Sequence, residues 1–193
     1  MCLATVGRPR LSRIIGPAVT VVGALFGLIA AAETLCDRTV ILFSLPWSMP
    51  FGAFRICMDP ISAVFAVPLL GIPALAAVYG SEYLKHYEGG KDPAFSWFSF
   101  NILAGTMLLV VVARNALLFL VAWELMSLAS FFLVMFEGEK AEVRKAGWTY
   151  LVATHVGAVF LFILFILLGR QCGTLDFDGF SLSGASPGFL AAV

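Results

Sequence analysis

AGWTYLVATHVGAVFLFILFILLG, residues 146–169, runs between Lys145 and Arg170 without one charged side chain. About 20 apolar residues in a helix cross the hydrocarbon core of a bilayer, so this stretch predicts a membrane span. The same test, carried outward along the chain, finds Ile14–Ala32, Pro60–Ser81 and Pro93–Ala113, all uncharged. Asn115–Phe136 holds a single charge, Glu124. Helices are required because lipid offers the backbone no hydrogen-bond partner. A membrane β-barrel would alternate apolar and polar residues, and LFILFILL does not alternate. The expected fold is all-α, a polytopic transmembrane helix bundle with five spans at about 14–32, 60–81, 95–113, 115–136 and 146–169. Residues 1–193 form one transmembrane region, with 33–58 and 170–187 as loops on the outer side.

Composition agrees. Hydrophobic residues make up 61% of the chain and charged ones 12%, with a mean hydropathy of +0.97. Soluble domains carry about 25% charged residues, so a soluble globular fold is excluded. Disordered, collagenous and disulfide-rich secreted classes fail for want of polar sequence, repeats or cysteines. A net charge of +0 leaves no basic footprint for nucleic acid.

Lys and Arg in the connections set the orientation. One side holds Arg8, Arg10, Arg13, Lys85, Lys91, Lys140, Arg144 and Lys145, the other Arg38, Arg55, Arg114 and Arg170. The richer side predicts a cytoplasmic N-terminus in a bacterial or archaeal cytoplasmic (inner) membrane. Arg8, Arg10 and Arg13 before an apolar run ending in Ala30-Ala31-Ala32 also suit a signal peptide. The run is longer than an ordinary signal core, so a retained helix is expected. The remaining topology is the same in either case.

The residues able to carry chemistry are few. Glu124 lies near the middle of its span, where an ionisable group costs several kcal/mol and marks ion or proton pathways. Ser127, one turn on, shares its side of the helix and is expected to donate to the carboxylate or hold a water. His155 lies at similar depth in the last span beside Thr154, and imidazole passes protons through either nitrogen. Asp59 before Pro60 reads as a helix cap with a supporting role. His86 reads as a solvated loop residue. The run from Glu137 to Lys145 is mixed in sign and reads as a solvated turn or a docking surface for a peripheral subunit. Pro68 and Pro73 should kink the second span or free backbone carbonyls. Gly23 and Gly27 form a GxxxG motif to which no function is attached. Cys2, Cys36, Cys57 and Cys172 show no metal-ligand spacing. Free thiols are expected, with a Cys36–Cys57 disulfide the alternative in an oxidising periplasm. No metal, cofactor or self-contained catalytic residue is expected.

In that setting the segment from Asn115 to Leu128, with Trp123-Glu124 at its centre, resembles the N-x-L-x-F-x-x-W-E-x-x-S segment of the antiporter-like proton-translocating membrane subunits. This family covers the large membrane subunits of complex I, the Mrp-type antiporters, and the membrane subunits of hydrogenase-4 and formate hydrogenlyase. Met58-Asp59-Pro60-Ile61-Ser62 resembles the start of an earlier family helix, and Tyr79-Gly80-Ser81-Glu82-Tyr83 its end. Lys145-Ala146 with Thr154-His155-Val156-Gly157 resembles the next, in the hydrogenase-4 form. The resemblance implies that Glu124 is the buried glutamate of the first half-channel, paired with a lysine two helices later. It makes the five spans the family's second to sixth helices, and the chain a fragment, a split gene product or a truncated frame. The function so implied is proton transfer in a redox-driven hydrogenase or quinone oxidoreductase complex, with other membrane and peripheral subunits as partners. A split Mrp-type cation/proton antiporter, with proton or sodium as the ion, is one alternative. A non-transporting helical scaffold is another.

Overall fold

The computed structural model describes residues 9–45, 54–83 and 93–180. Cys2 and His86, Lys85 and Lys91 of the expected cytoplasmic connection, and residues 181–187 of the last expected loop lie outside that set. Five helices run in order: α1 Pro9–Asp37, α2 Pro60–Tyr83, α3 Pro93–Val112, α4 Ala116–Val134 and α5 Ala141–Cys172. Each is long and apolar enough to cross a membrane. The chain is a multi-pass membrane helix bundle.

Helices outrun the charge-free stretches because a helix ends where its capping chemistry ends, not where the bilayer does. With 32 residues at about 1.5 Å each, α5 is longer than the hydrocarbon core of about 30 Å. Glu142, Arg144 and Lys145, read above as part of a turn, therefore lie in its first turns, and the turn itself is confined to residues 135–140. At the other end Gly173 adopts a left-handed φ of 70° and donates its N–H to the Gly169 carbonyl at 2.9 Å. Glycine takes that conformation without the steric cost that a Cβ adds.

The expected outer loop 33–58 is more ordered than its sequence reading. α1 continues to Asp37, and an antiparallel hairpin follows, β1 Ile41–Leu45 with β2 Phe54–Met58. The register pairs Ile41 with Met58 and Leu45 with Phe54. Strands of five residues leave no mark in a pattern of charge-free runs of span length. Cys36 and Cys57 are free thiols, so the alternative disulfide is not formed.

Small residues set the helix spacing. Ala24, Ala31, Ala63, Ala66 and Leu70 form the core between α1 and α2. A Leu70 methyl occupies the space that a Cβ on Gly27 would need, so this glycine of the GxxxG motif admits a close approach. α3 is wedged in by Trp97, 3% exposed, whose ring packs on Gly16 of α1 and reaches Gly80 of α2. α5 packs chiefly on α4 and is the least buried helix.

Candidate functional site

α4 and α5 are joined by the short turn at residues 135–140 and lie antiparallel, held by a ladder of aromatic contacts. Phe131 of α4 meets Trp148 of α5 with ring centroids 5.9 Å apart, and Phe119 meets Phe165 at 5.5 Å. Between these rungs the register brings Glu124 opposite His155. The His155 Nε2 lies 3.4 Å from the Glu124 Oε2. The two residues singled out by depth alone therefore form a pair.

The other ring nitrogen has a fixed task. His155 Nδ1 lies 2.9 Å from the Leu151 carbonyl oxygen, one turn back on α5. A carbonyl only accepts, so Nδ1 carries the hydrogen, and in neutral imidazole the lone pair is then on Nε2, facing the acid. The Glu124 side chain is 26% exposed and that of His155 48%. His155 borders an apolar hollow with Leu151, Val152, Val156 and Val159. Trp123 stacks on Phe119 at 5.8 Å, and its buried indole N–H has no acceptor among the described residues.

The two expected helpers make no direct hydrogen bond to the pair. Ser127 is buried at 3% and makes no hydrogen bond to Glu124. Thr154 donates back along its own helix, to Tyr150 at 3.1 Å and Leu151 at 2.9 Å. A hydroxyl inside a helix commonly closes on the carbonyl three or four residues earlier, and that local bond wins here over a bond to a neighbour.

Asp59 does cap α2: the Ser62 N–H donates to its Oδ1 at 2.7 Å. It also pairs through Oδ2 with Arg114, which the sequence reading left without a role. Both belong to a polar clasp at one end of the bundle. Residues 113–115 link α3 to α4 in extended form, and their backbone groups are taken from two sides. Arg114 donates its N–H to the Arg55 carbonyl of β2 at 3.0 Å and accepts from the Phe177 N–H at 3.0 Å. The Ala116 N–H donates to the Leu175 carbonyl at 2.8 Å. Arg55 reaches Asp176 at 3.7 Å and Asp178 at 3.5 Å.

Asn115 is the hinge pin of this clasp. Its side chain is 1% exposed, accepts from the Leu117 N–H at 2.9 Å as the cap of α4, and donates to Asp176 at 2.8 Å. The stub after the His155 helix is thereby tied to the start of the Glu124 helix. Asn115→Ala should cost about 1–2 kcal/mol through the lost cap and lower the thermal midpoint of the detergent-solubilised protein. Asn115→Asp keeps the acceptor but sets a second carboxylate against Asp176, so it should recover only part of the loss. Full recovery would show that the bond to Asp176 contributes nothing.

The family comparisons agree with this architecture. Residues 113–190 match the model described as NADH:quinone oxidoreductase/Mrp antiporter, TM. Those residues belong to that transmembrane family. Hydrogenase-4 component B of Escherichia coli (strain K12) is 31% identical over 191 residues, covering 99% of this chain and 28% of that protein. NADH-quinone oxidoreductase subunit L of the same organism is 30% identical over 125 residues, 64% of this chain and 20% of that protein. A chain of the Mrp complex from Dietzia sp. DQ12-45-1b superposes with a TM-score of 0.78 at 25% identity, over 95% of this chain and 20% of that one. The chain thus spans less than a third of each of these antiporter-like relatives. The matched region contains Glu124 and His155, and also Arg114, Asn115 and Asp176 of the clasp.

Sequence reasoning missed the clasp, although Asp59, Arg114 and Asp176 all fall in connections assigned to one side. It also missed Asn101, the lone amide in the middle of α3, because a search for charges passes over neutral polar groups. Asn101 accepts from Thr20 of α1 at 3.0 Å and donates to the Gly16 and Trp97 carbonyls at 3.1 and 2.8 Å.

Proposed function

We propose that this chain is a proton-transferring part of a membrane subunit in a redox-driven complex of the hydrogenase or quinone oxidoreductase type. The observation that carries the proposal is the facing pair of titratable groups, Glu124 and His155, 3.4 Å apart within two membrane-spanning helices. Such groups face the bundle interior or water rather than lipid. With Nδ1 committed to Leu151, protonated Glu124 can pass its hydrogen to Nε2, giving a carboxylate beside an imidazolium. The separation exceeds the roughly 2.7–2.9 Å of a strong charge-assisted bond, so transfer takes a small closing movement. A cation arriving beside Glu124 favours the carboxylate and drives the proton to His155; its departure reverses the bias. Electron chemistry belongs to other subunits.

The hydrogenase-4 relative, 31% identical over 99% of the chain, supports the redox reading. The Dietzia Mrp structure supports a second one, in which the same pair exchanges a proton against sodium or another cation. The partners proposed are further membrane and peripheral subunits, and the setting is an inner membrane with the N-terminus in the cytoplasm.

Infrared difference spectroscopy on the assembled complex tests the pair. A protonated-carboxyl band, assigned by its loss in Glu124→Gln, should appear and vanish through turnover. A band constant in every state would leave Glu124 a structural acid in a scaffold. Its response to sodium pulses in place of reductant would separate the two transport readings.

A further inference from the structure

Away from Glu124 and His155, a cavity of about 230 Å³ opens between α1, α2 and α3. Its wall includes Thr20, Gly23, Leu69, Pro73, Asn101 and Gly105. Thr20 is the twelfth residue of α1, Asn101 the ninth of α3 and Leu69 the tenth of α2, so its polar groups gather near mid-membrane. Neither Gly23 nor Gly105 would meet anything within 4 Å on gaining a Cβ. Side-chain volume has been withheld there on two helices. This is unlike Gly16 and Gly27, whose space is filled by Trp97 and Leu70.

The polar atoms in the wall have one character. Thr20 has one hydrogen for two acceptors, the Asn101 oxygen at 3.0 Å and the Gly16 carbonyl at 3.3 Å, and its own lone pairs are left unused. Both hydrogens of the Asn101 amide are bound, to Gly16 and Trp97. Pro73 has no N–H, so the Leu69 carbonyl four residues earlier lacks its helical donor. The wall therefore offers acceptors: the Thr20 oxygen, the second lone pair of Asn101 and the Leu69 carbonyl. It has no spare donor among these groups. Its volume is far above the roughly 10–15 Å³ that one water requires, and a buried water takes two to four polar partners.

We propose that this cavity is a hydrated site, holding water that donates to Thr20, Asn101 and Leu69. Its wall is mostly apolar and its few polar atoms are acceptors, so it admits hydrogen-bond donors and cations ahead of anions. It is lined by no residue of α4 or α5, so it stands or falls separately from the Glu124–His155 pair.

Cysteine accessibility in native membranes tests it. In a full-length background with the four native cysteines replaced by serine, Gly105→Cys is compared with Ile72→Cys, a site 66% exposed on the outside of α2. Thiosulfonate reagents attack the thiolate, which forms in water and not among lipid tails. A cationic thiosulfonate should modify Gly105→Cys about tenfold faster or more than Ile72→Cys, and faster than an anionic one does. Adding Asn101→Leu should bring the rate down to that of Ile72→Cys. Equal slow rates at both positions, with labelling only by a lipophilic maleimide, would mean an acyl chain fills the cavity. Fast labelling that survives Asn101→Leu would mean the polar wall does not hold the water. Either result overturns the proposal.

Discussion

Glu124→Gln in the assembled, membrane-embedded complex is expected to lower proton translocation by about 100-fold while the complex accumulates normally. Glutamine keeps the shape and, through its amide N–H, a donor toward the His155 Nε2, 3.4 Å from the acid oxygen it replaces, but it cannot take up or release a proton. Folding should be spared because the α4–α5 contact rests on the ring pairs Phe131–Trp148 and Phe119–Phe165 rather than on the acid. Vesicles carrying a pH-sensitive dye, energised by the electron donor of the complex, give the measurement. Undiminished pumping with normal electron flow would remove Glu124 from the pathway. His155→Gln should give a smaller loss, because the carboxyl of Glu124 is retained.

Arg114→Ala is expected to have the largest effect on stability, a loss of about 1–3 kcal/mol. The guanidinium is 24% exposed and the Asp59 carboxylate 28%, so the pair lies between a surface ion pair and a buried one. Without Arg114, Asp59 retains its bond from Ser62 but faces a partly dry pocket with no counter-charge. Asp59→Asn and the double variant close the cycle. A coupling near zero in thermal unfolding would mean that the two groups merely lie side by side. The clasp also predicts a pH dependence. The backbone N–H of Ser62, with Arg114 adding to it, holds the Asp59 carboxyl below its ordinary range against the opposing pull of burial. The unfolded chain therefore binds the proton more readily, and this contribution is fully present above the usual Asp value of about 3.9. It is lost as the pH falls below that value, and Asp59→Asn should flatten that arm of the curve. Burial lowers the Arg114 pKa, but its hydrogen bonds to Asp59 and Cys57 outweigh that and leave it raised, so it stays charged throughout.

Legibility followed chemistry. Spans announce themselves because one charge among 20 residues is expensive in lipid, and for the same reason Glu124 stood out in its helix. His155 was legible by depth and by its ability to titrate. Spacing along the chain puts Ser127 on the side of Glu124 and Thr154 beside His155, yet the local carbonyls claim Thr154, and Ser127 makes no bond to the acid. Neutral Asn101 gave no signal, since a search for charges passes over an uncharged amide.

From the sequence alone came the membrane, the number of helices, and Glu124 and His155 as the ionisable residues at mid-span. Those follow from one-dimensional sums: apolar length against bilayer thickness, and the cost of a charge in hydrocarbon. Only the tertiary structure decided that Glu124 and His155 face each other, that Asp59 finds Arg114, and that Thr20 meets Asn101. These partners are 31, 55 and 81 residues apart in the chain. Their meeting depends on helix register and on which glycines let neighbours in, and packing between helices, which transfer energies do not encode, sets both.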